Sequence, residues 1–66
     1  MHNNIYQVIR ERSITQGDLA KMVGVRRNYI YKIINRKVTP TIPLGLRIAT
    51  VLGMSVEDLF IIDQHH

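Results

Sequence analysis

Between Leu19 and Ile34 the chain reads LAKMVGVRRNYIYKII, and this stretch leaves its backbone little choice. Apolar residues recur at helical spacing on both sides of Gly24. Helices on the two sides would be joined by roughly three residues, too few for a wide loop. So short a turn forces the helices together, and the point of contact must be small. Ala20, one turn before Gly24, is small, and Gly24 can take the left-handed conformation that ends a helix. Leu19, Val23, Val25, Ile30 and Ile33 supply the apolar positions that tie the pair to a core. An Ala and a Gly near isoleucines are by themselves ordinary helix packing. Seven restricted positions in register are more specific, and they define a helix-turn-helix.

The flanking sequence predicts further helices. Ile5, Val8 and Ile9 give a first helix over about residues 4–12. Thr15 can cap the second, over about 16–23. Asp18 is placed to reach back to the Thr15 amide, and Ile14 and Leu19 are placed as a hydrophobic staple. The third helix covers about 27–35. Val25 and Ile30 repeat the staple, but Arg26 stands where a Ser or Thr cap is expected, at a cost of about 1 kcal/mol. Thr41 caps a fourth, over about 42–52, with Pro43 in its first turn, Leu44, Ile48, Val51 and Leu52 on its buried face, and Gly53 as its stop. MSVEDL repeats the earlier device with Ser55, Asp58 and a Met54–Leu59 staple, for a fifth helix over about 56–61. Residues 1–66 read as one domain.

The outer face of the third helix then asks for a purpose. At about 100° per residue, Arg27, Asn28, Tyr31, Lys32 and Asn35 share one arc, and Tyr29, Ile30, Ile33 and Ile34 the other. Arg and Lys donate to guanine O6 and N7, Asn pairs with adenine N6 and N7, and a helix fits the major groove. Charge agrees: all five acids lie outside residues 19–56, which hold Lys21, Arg26, Arg27, Lys32, Arg36, Lys37 and Arg47. A solvated face alone would be expected to pair such cations with Glu, and none is there. Double-stranded DNA is the expected partner.

Other chemistries find no support. With no cysteine there is neither a disulfide framework nor a thiolate metal site. His2, His65 and His66 are terminal and lack ligand spacing, so they are expected to be solvated. No nucleophile–base or carboxylate pair suggests an enzyme, and no cofactor or small-molecule ligand is indicated. No apolar run reaches membrane-spanning length and no signal-peptide pattern opens the chain, so a cytoplasmic protein with no membrane partner is the expectation. Tyr6 and Tyr29 are expected to be partly buried and Tyr31 exposed.

TQGDLAKMVGVRRNYIYKI, followed by TPTIPLGLRIATVLGMSVEDLF, resembles the Cro/C1-type (Xre-like) helix-turn-helix regulators over about residues 5–60. The resemblance rests on Thr15-Gln16, Leu19-Ala20, Gly24-Val25, Ile30, Pro40, Ile48-Ala49, Leu52 and the EDLF ending. It implies an all-α, five-helix fold of the lambda-repressor type. It also implies a homodimer on an inverted-repeat operator, most often acting as a repressor. On that reading Arg27, Asn28, Lys32 and Tyr31 read bases, and Gln16, Asn35, Arg36, Lys37, Arg26, Thr15 and Arg10 meet the DNA backbone. Three positions depart from the family pattern. Arg26 replaces a Ser or Thr. Ile34 replaces a Glu that pairs with an Arg of the first helix, which leaves Arg10 available for phosphate. Arg36 replaces a loop glycine, so the exit from the third helix is expected to run differently.

Phe60, Ile61 and Ile62 are too apolar for a free end. They either fold onto their own core or form a dimer interface, and the dimer interface is the assignment made here. NNIY and FIID could also pair as a small antiparallel sheet, as in some short members of that family. The competing function is an antitoxin or adaptor whose main ligand is a protein, which would have no need of the Arg27–Asn28–Lys32 face.

Overall fold

A computed structural model describes residues 2–61. The order is β1 (His2–Asn3), α1 (Ile5–Glu11), α2 (Gln16–Val23), α3 (Arg27–Ile34), α4 (Ile42–Leu52), α5 (Val56–Leu59) and β2 (Phe60–Ile61). Ile5, Leu19, Ile30, Ile33, Ile48, Leu52 and Leu59 lose all their accessible surface. Each such burial contributes about 1.5–3 kcal/mol. Ala20 and Val23 of α2 and Ala49 of α4 belong to the same core, so the helix pair is bound to the rest of the molecule by its inward face.

The caps form largely as the residues demand. The Thr15 hydroxyl accepts from the Asp18 amide at 3.0 Å, and the Asp18 carboxylate accepts from the Thr15 amide at 3.1 Å. Gly24 closes α2 at φ 80° and Gly53 closes α4 at φ 66°. Thr41 accepts from the Leu44 amide at 3.4 Å, and Arg26 caps α3 with no side-chain bond. Ser55 accepts from the Asp58 amide at 3.2 Å and starts α5.

Several expectations change in the first and last described segments. α5 stops at Leu59 instead of about residue 61, because Phe60 has turned extended (φ −114°, ψ 123°) and joins β2. β2 pairs antiparallel with β1, His2 opposite Ile61 and Asn3 opposite Phe60. Of the NNIY segment only Asn3 is in the strand, since Ile5 and Tyr6 already belong to α1. The ribbon turns Phe60 inward. It is 7% exposed and packs by Gly45 of α4, so it belongs to the protomer's own core and offers little surface for the dimer contact expected of it. Ile61 remains 47% exposed. Ile62, His65 and His66 lie outside the described residues. Tyr6 is 48% exposed rather than partly buried, while Tyr29 is half-buried and Tyr31 exposed as expected.

Candidate nucleic-acid interface

The turn between α2 and α3 is held from within. Both the Gly24 and Val25 amides donate to the Ala20 carbonyl, at 2.8 and 3.0 Å, so α3 leaves in one direction. Ile30 and Ile33 are fully buried beneath it, with Tyr29 and Ile34 half-buried at the margins. Arg27, Asn28, Tyr31, Lys32 and Asn35 are all exposed on the opposite side. The division of faces expected from the sequence is therefore present.

Thr15, Gln16, Gly17, Arg27, Asn28 and Tyr31 line one open notch where the start of α2 meets the start of α3. Gly17 puts no side chain into it. A Cβ there would lie 3.6 Å from the Arg27 Cδ, which shows the arginine stem lying across the start of α2. Asp18 is the acid nearest this notch in sequence. The Thr15 backbone amide, then the Thr15 hydroxyl contact, hold its carboxyl below the usual carboxylate range, with Lys21 adding to the effect.

At the other end of α3, the Asn35 side-chain amide donates back to the Tyr31 carbonyl at 2.9 Å. Arg36 follows at φ 61°, in the left-handed region, so the exit keeps a glycine-like conformation without the glycine. Its Nη1 lies 2.7 Å from the His2 Nδ1. Lys37 is exposed beside it, and Arg26 is exposed at the start of α3. Arg10 is not gathered with these residues. Its guanidinium lies 5.6 Å from the Tyr6 ring centre, in a separate depression with Gln7 and Glu11. That contact is worth about 0.5–1 kcal/mol at an exposed site.

Four polar residues brace the fold in ways the sequence did not single out. Arg47 Nη1 donates to the Val23 carbonyl at 3.1 Å and closes the end of α2. An Arg12 guanidinium nitrogen donates to the Leu52 carbonyl at the end of α4. Asn3 Nδ2 donates to the Ile33 carbonyl at 2.9 Å, and Asn4 Nδ2 to the Asp58 carbonyl at 3.0 Å. These pairs are 24 to 54 residues apart in the chain, so no local pattern announces them. Arg47, counted among the cations of the basic interval, is thus partly committed to a helix end. Among the described residues no group of acids and histidines could hold a metal ion, and no helix is long and apolar enough to cross a membrane.

The family model for helix-turn-helix matches residues 5–59. The chain is 38% identical over 64 residues to an uncharacterized HTH-type transcriptional regulator of Archaeoglobus fulgidus, covering 97% of this chain and 90% of that protein. A second protein of that organism, described in the same words, is 40% identical over 63 residues, 96% and 90% of the two chains. One from Methanocaldococcus jannaschii is 38% identical over 61 residues, 92% of each. The likeness therefore spans both chains nearly end to end and is not confined to the helix pair.

Proposed function

Since the chain belongs to the Cro/C1-type helix-turn-helix family of transcriptional regulators, we propose that it is a cytoplasmic repressor that seats α3 in the major groove of an inverted-repeat operator, as a two-fold dimer. The observation that carries this reading is the face of α3. Five exposed groups able to bond base edges or phosphates stand on a helix whose other side is locked by Ile30 and Ile33. Arg27, Asn28, Tyr31 and Lys32 read bases. Thr15 and Gln16 at the notch, Arg26 at the start of α3, and Asn35, Arg36 and Lys37 at its end grip the backbone. No catalysis and no cofactor enter this account.

The dimer follows from information content. An eight-residue helix reaches only a few base pairs, too few to single out one site in a genome. Two copies about 34 Å apart, one turn of B-DNA, double the reading and require an inverted repeat. Ile42, Leu46 and Ile61 are large apolar side chains exposed on the protomer, 80%, 53% and 47%, and offer surface for such pairing. Repression follows from occupancy, because a protein seated in the groove excludes others from the same duplex.

Selection of bound duplexes from a random library tests the reading. The expected result is a two-fold symmetric sequence with half-site centres about 10 base pairs apart. Recovery of no enriched sequence, together with binding that ignores salt, would remove DNA as the ligand.

A further inference from the structure

The first residues of the chain touch the end of the recognition helix, and nothing in the function so far uses them. Asn3 uses both ends of its amide. Its Nδ2 donates to the Ile33 carbonyl at 2.9 Å, and its Oδ1 accepts from the Ile5 amide at 3.3 Å. One side chain thus ties the start of α1 to the end of α3. Pairing with β2 fixes the Asn3 backbone opposite Phe60, itself buried in the core. His2, one residue earlier, is paired opposite Ile61 and meets the Arg36 guanidinium at 2.7 Å. Arg36 is itself pinned, since its amide donates to the Ile33 carbonyl at 3.0 Å. Asn3 and Arg36 therefore converge on the same carbonyl.

We propose that the N-terminal strand is a positioning element for DNA binding: Asn3 holds the end of α3, and His2 orients the Arg36 guanidinium for the phosphate backbone. This rests on the reading that the exit of α3 meets DNA. Arginine is always charged, so the His2 ring accepts through Nδ1 and carries its proton on Nε2. One Nη1–H of Arg36 is used, and the remaining donors of the fork stay available for a phosphate. A long side chain ordered before binding loses less rotamer freedom when it binds.

The test measures binding of a short random-sequence duplex by His2→Ala, Arg36→Ala, the double variant and Asn3→Ser, with thermal melting of each. Ser keeps a hydroxyl for the Ile5 amide but is too short to reach Ile33. The expected loss for His2→Ala is about threefold in the natural background and none in the Arg36→Ala background. Asn3→Ser is expected to weaken binding about as much at temperatures where it is fully folded. NMR relaxation of the Arg36 guanidinium in the free protein is expected to show an ordered side chain that His2→Ala makes mobile, a change that a purely structural role would not produce. Equal losses in both backgrounds, or no loss in either, overturn the proposal. So does an Arg36 guanidinium equally mobile with and without His2. The relaxation is read without DNA, so it decides the positioning even where the natural chain binds duplex with no salt dependence, a result that counts against the DNA reading instead.

Discussion

Arg36 sits at φ 61°, a conformation that costs a residue with a Cβ about 1–2 kcal/mol and glycine nothing. A cation held in a strained conformation at the exit of α3 suits the proposed phosphate contact. Arg36→Gly is therefore expected to stabilise the folded chain by about 0.5–1 kcal/mol, after the added freedom of the unfolded chain is counted, and to weaken DNA binding. Urea denaturation and a binding titration check the two halves, and a variant that loses both stability and affinity would contradict this account. On the proposed reading the residues of α3 and its exit divide the work. Asn28→Ala and Lys32→Ala are expected to relax preference at particular base pairs, each costing about 1–3 kcal/mol at the selected site. Lys37→Ala should weaken selected and random duplexes alike and flatten the salt dependence. If Asn28→Ala leaves base preference intact, α3 does not lie in the groove as described.

Helices this short depend on their ends, because four amides and four carbonyls of each lack partners within the helix. α2 solves the first turn with the reciprocal Thr15–Asp18 pair, and Thr15→Ala is expected to cost about 0.5–2 kcal/mol. The carboxyl of Asp18 is lowered in the folded chain, so its contribution is complete above the unfolded value. It is lost as pH falls through the lower, folded value. Asp18→Asn should therefore flatten the acid limb of a stability–pH curve and leave the shape of the curve near neutrality unchanged. α2 and α4 end on arginines from elsewhere, Arg47 on Val23 and Arg12 on Leu52. Arg47→Ala and Arg12→Ala are each expected to destabilise by about 0.5–1.5 kcal/mol, more where the freed carbonyl is shut off from water. Amide exchange would locate the first loss at the end of α2 and the second at the end of α4. Of the two, only Arg47→Ala is expected to disturb the helix pair and so DNA affinity.

At the scale of the molecule, charge and apolar surface govern assembly. If each protomer neutralises about three phosphates, log K for the dimer should fall with log salt at a slope of about −5. Among the described residues the tail exposes less apolar surface than Phe60 and Ile61 together suggested, because Phe60 belongs to its own core. Ile61→Asp is expected to weaken binding to a full inverted repeat while leaving binding to an isolated half-site unchanged. Burying an isoleucine is worth about 1.5–3 kcal/mol, which sets the size of the difference. Equal affinity of variant and natural chain on the full repeat would place the interface elsewhere, with the exposed pair Ile42 and Leu46 as the next residues to change.

What the residues determined by themselves is whatever is local. Thr15 with Asp18, Gly24, Thr41 with Pro43, Gly53 and Ser55 mark helix ends within three or four positions, and the structure places them there. The spacing of Ile30 and Ile33 was enough to say which side of α3 is buried, and hence which five side chains are offered outward. Local signals failed where a distant segment competed. Phe60 could have continued α5, but β1 supplies hydrogen-bond partners and its ring packs on α4 at Gly45, so the chain turns extended. Arg47, Arg12, Asn3 and Asn4 carry no local mark at all, since their carbonyl partners are 24 to 54 residues away. Only the tertiary structure could assign them, because which helix end lies within reach of a side chain is settled by packing of the core and not by neighbours along the chain.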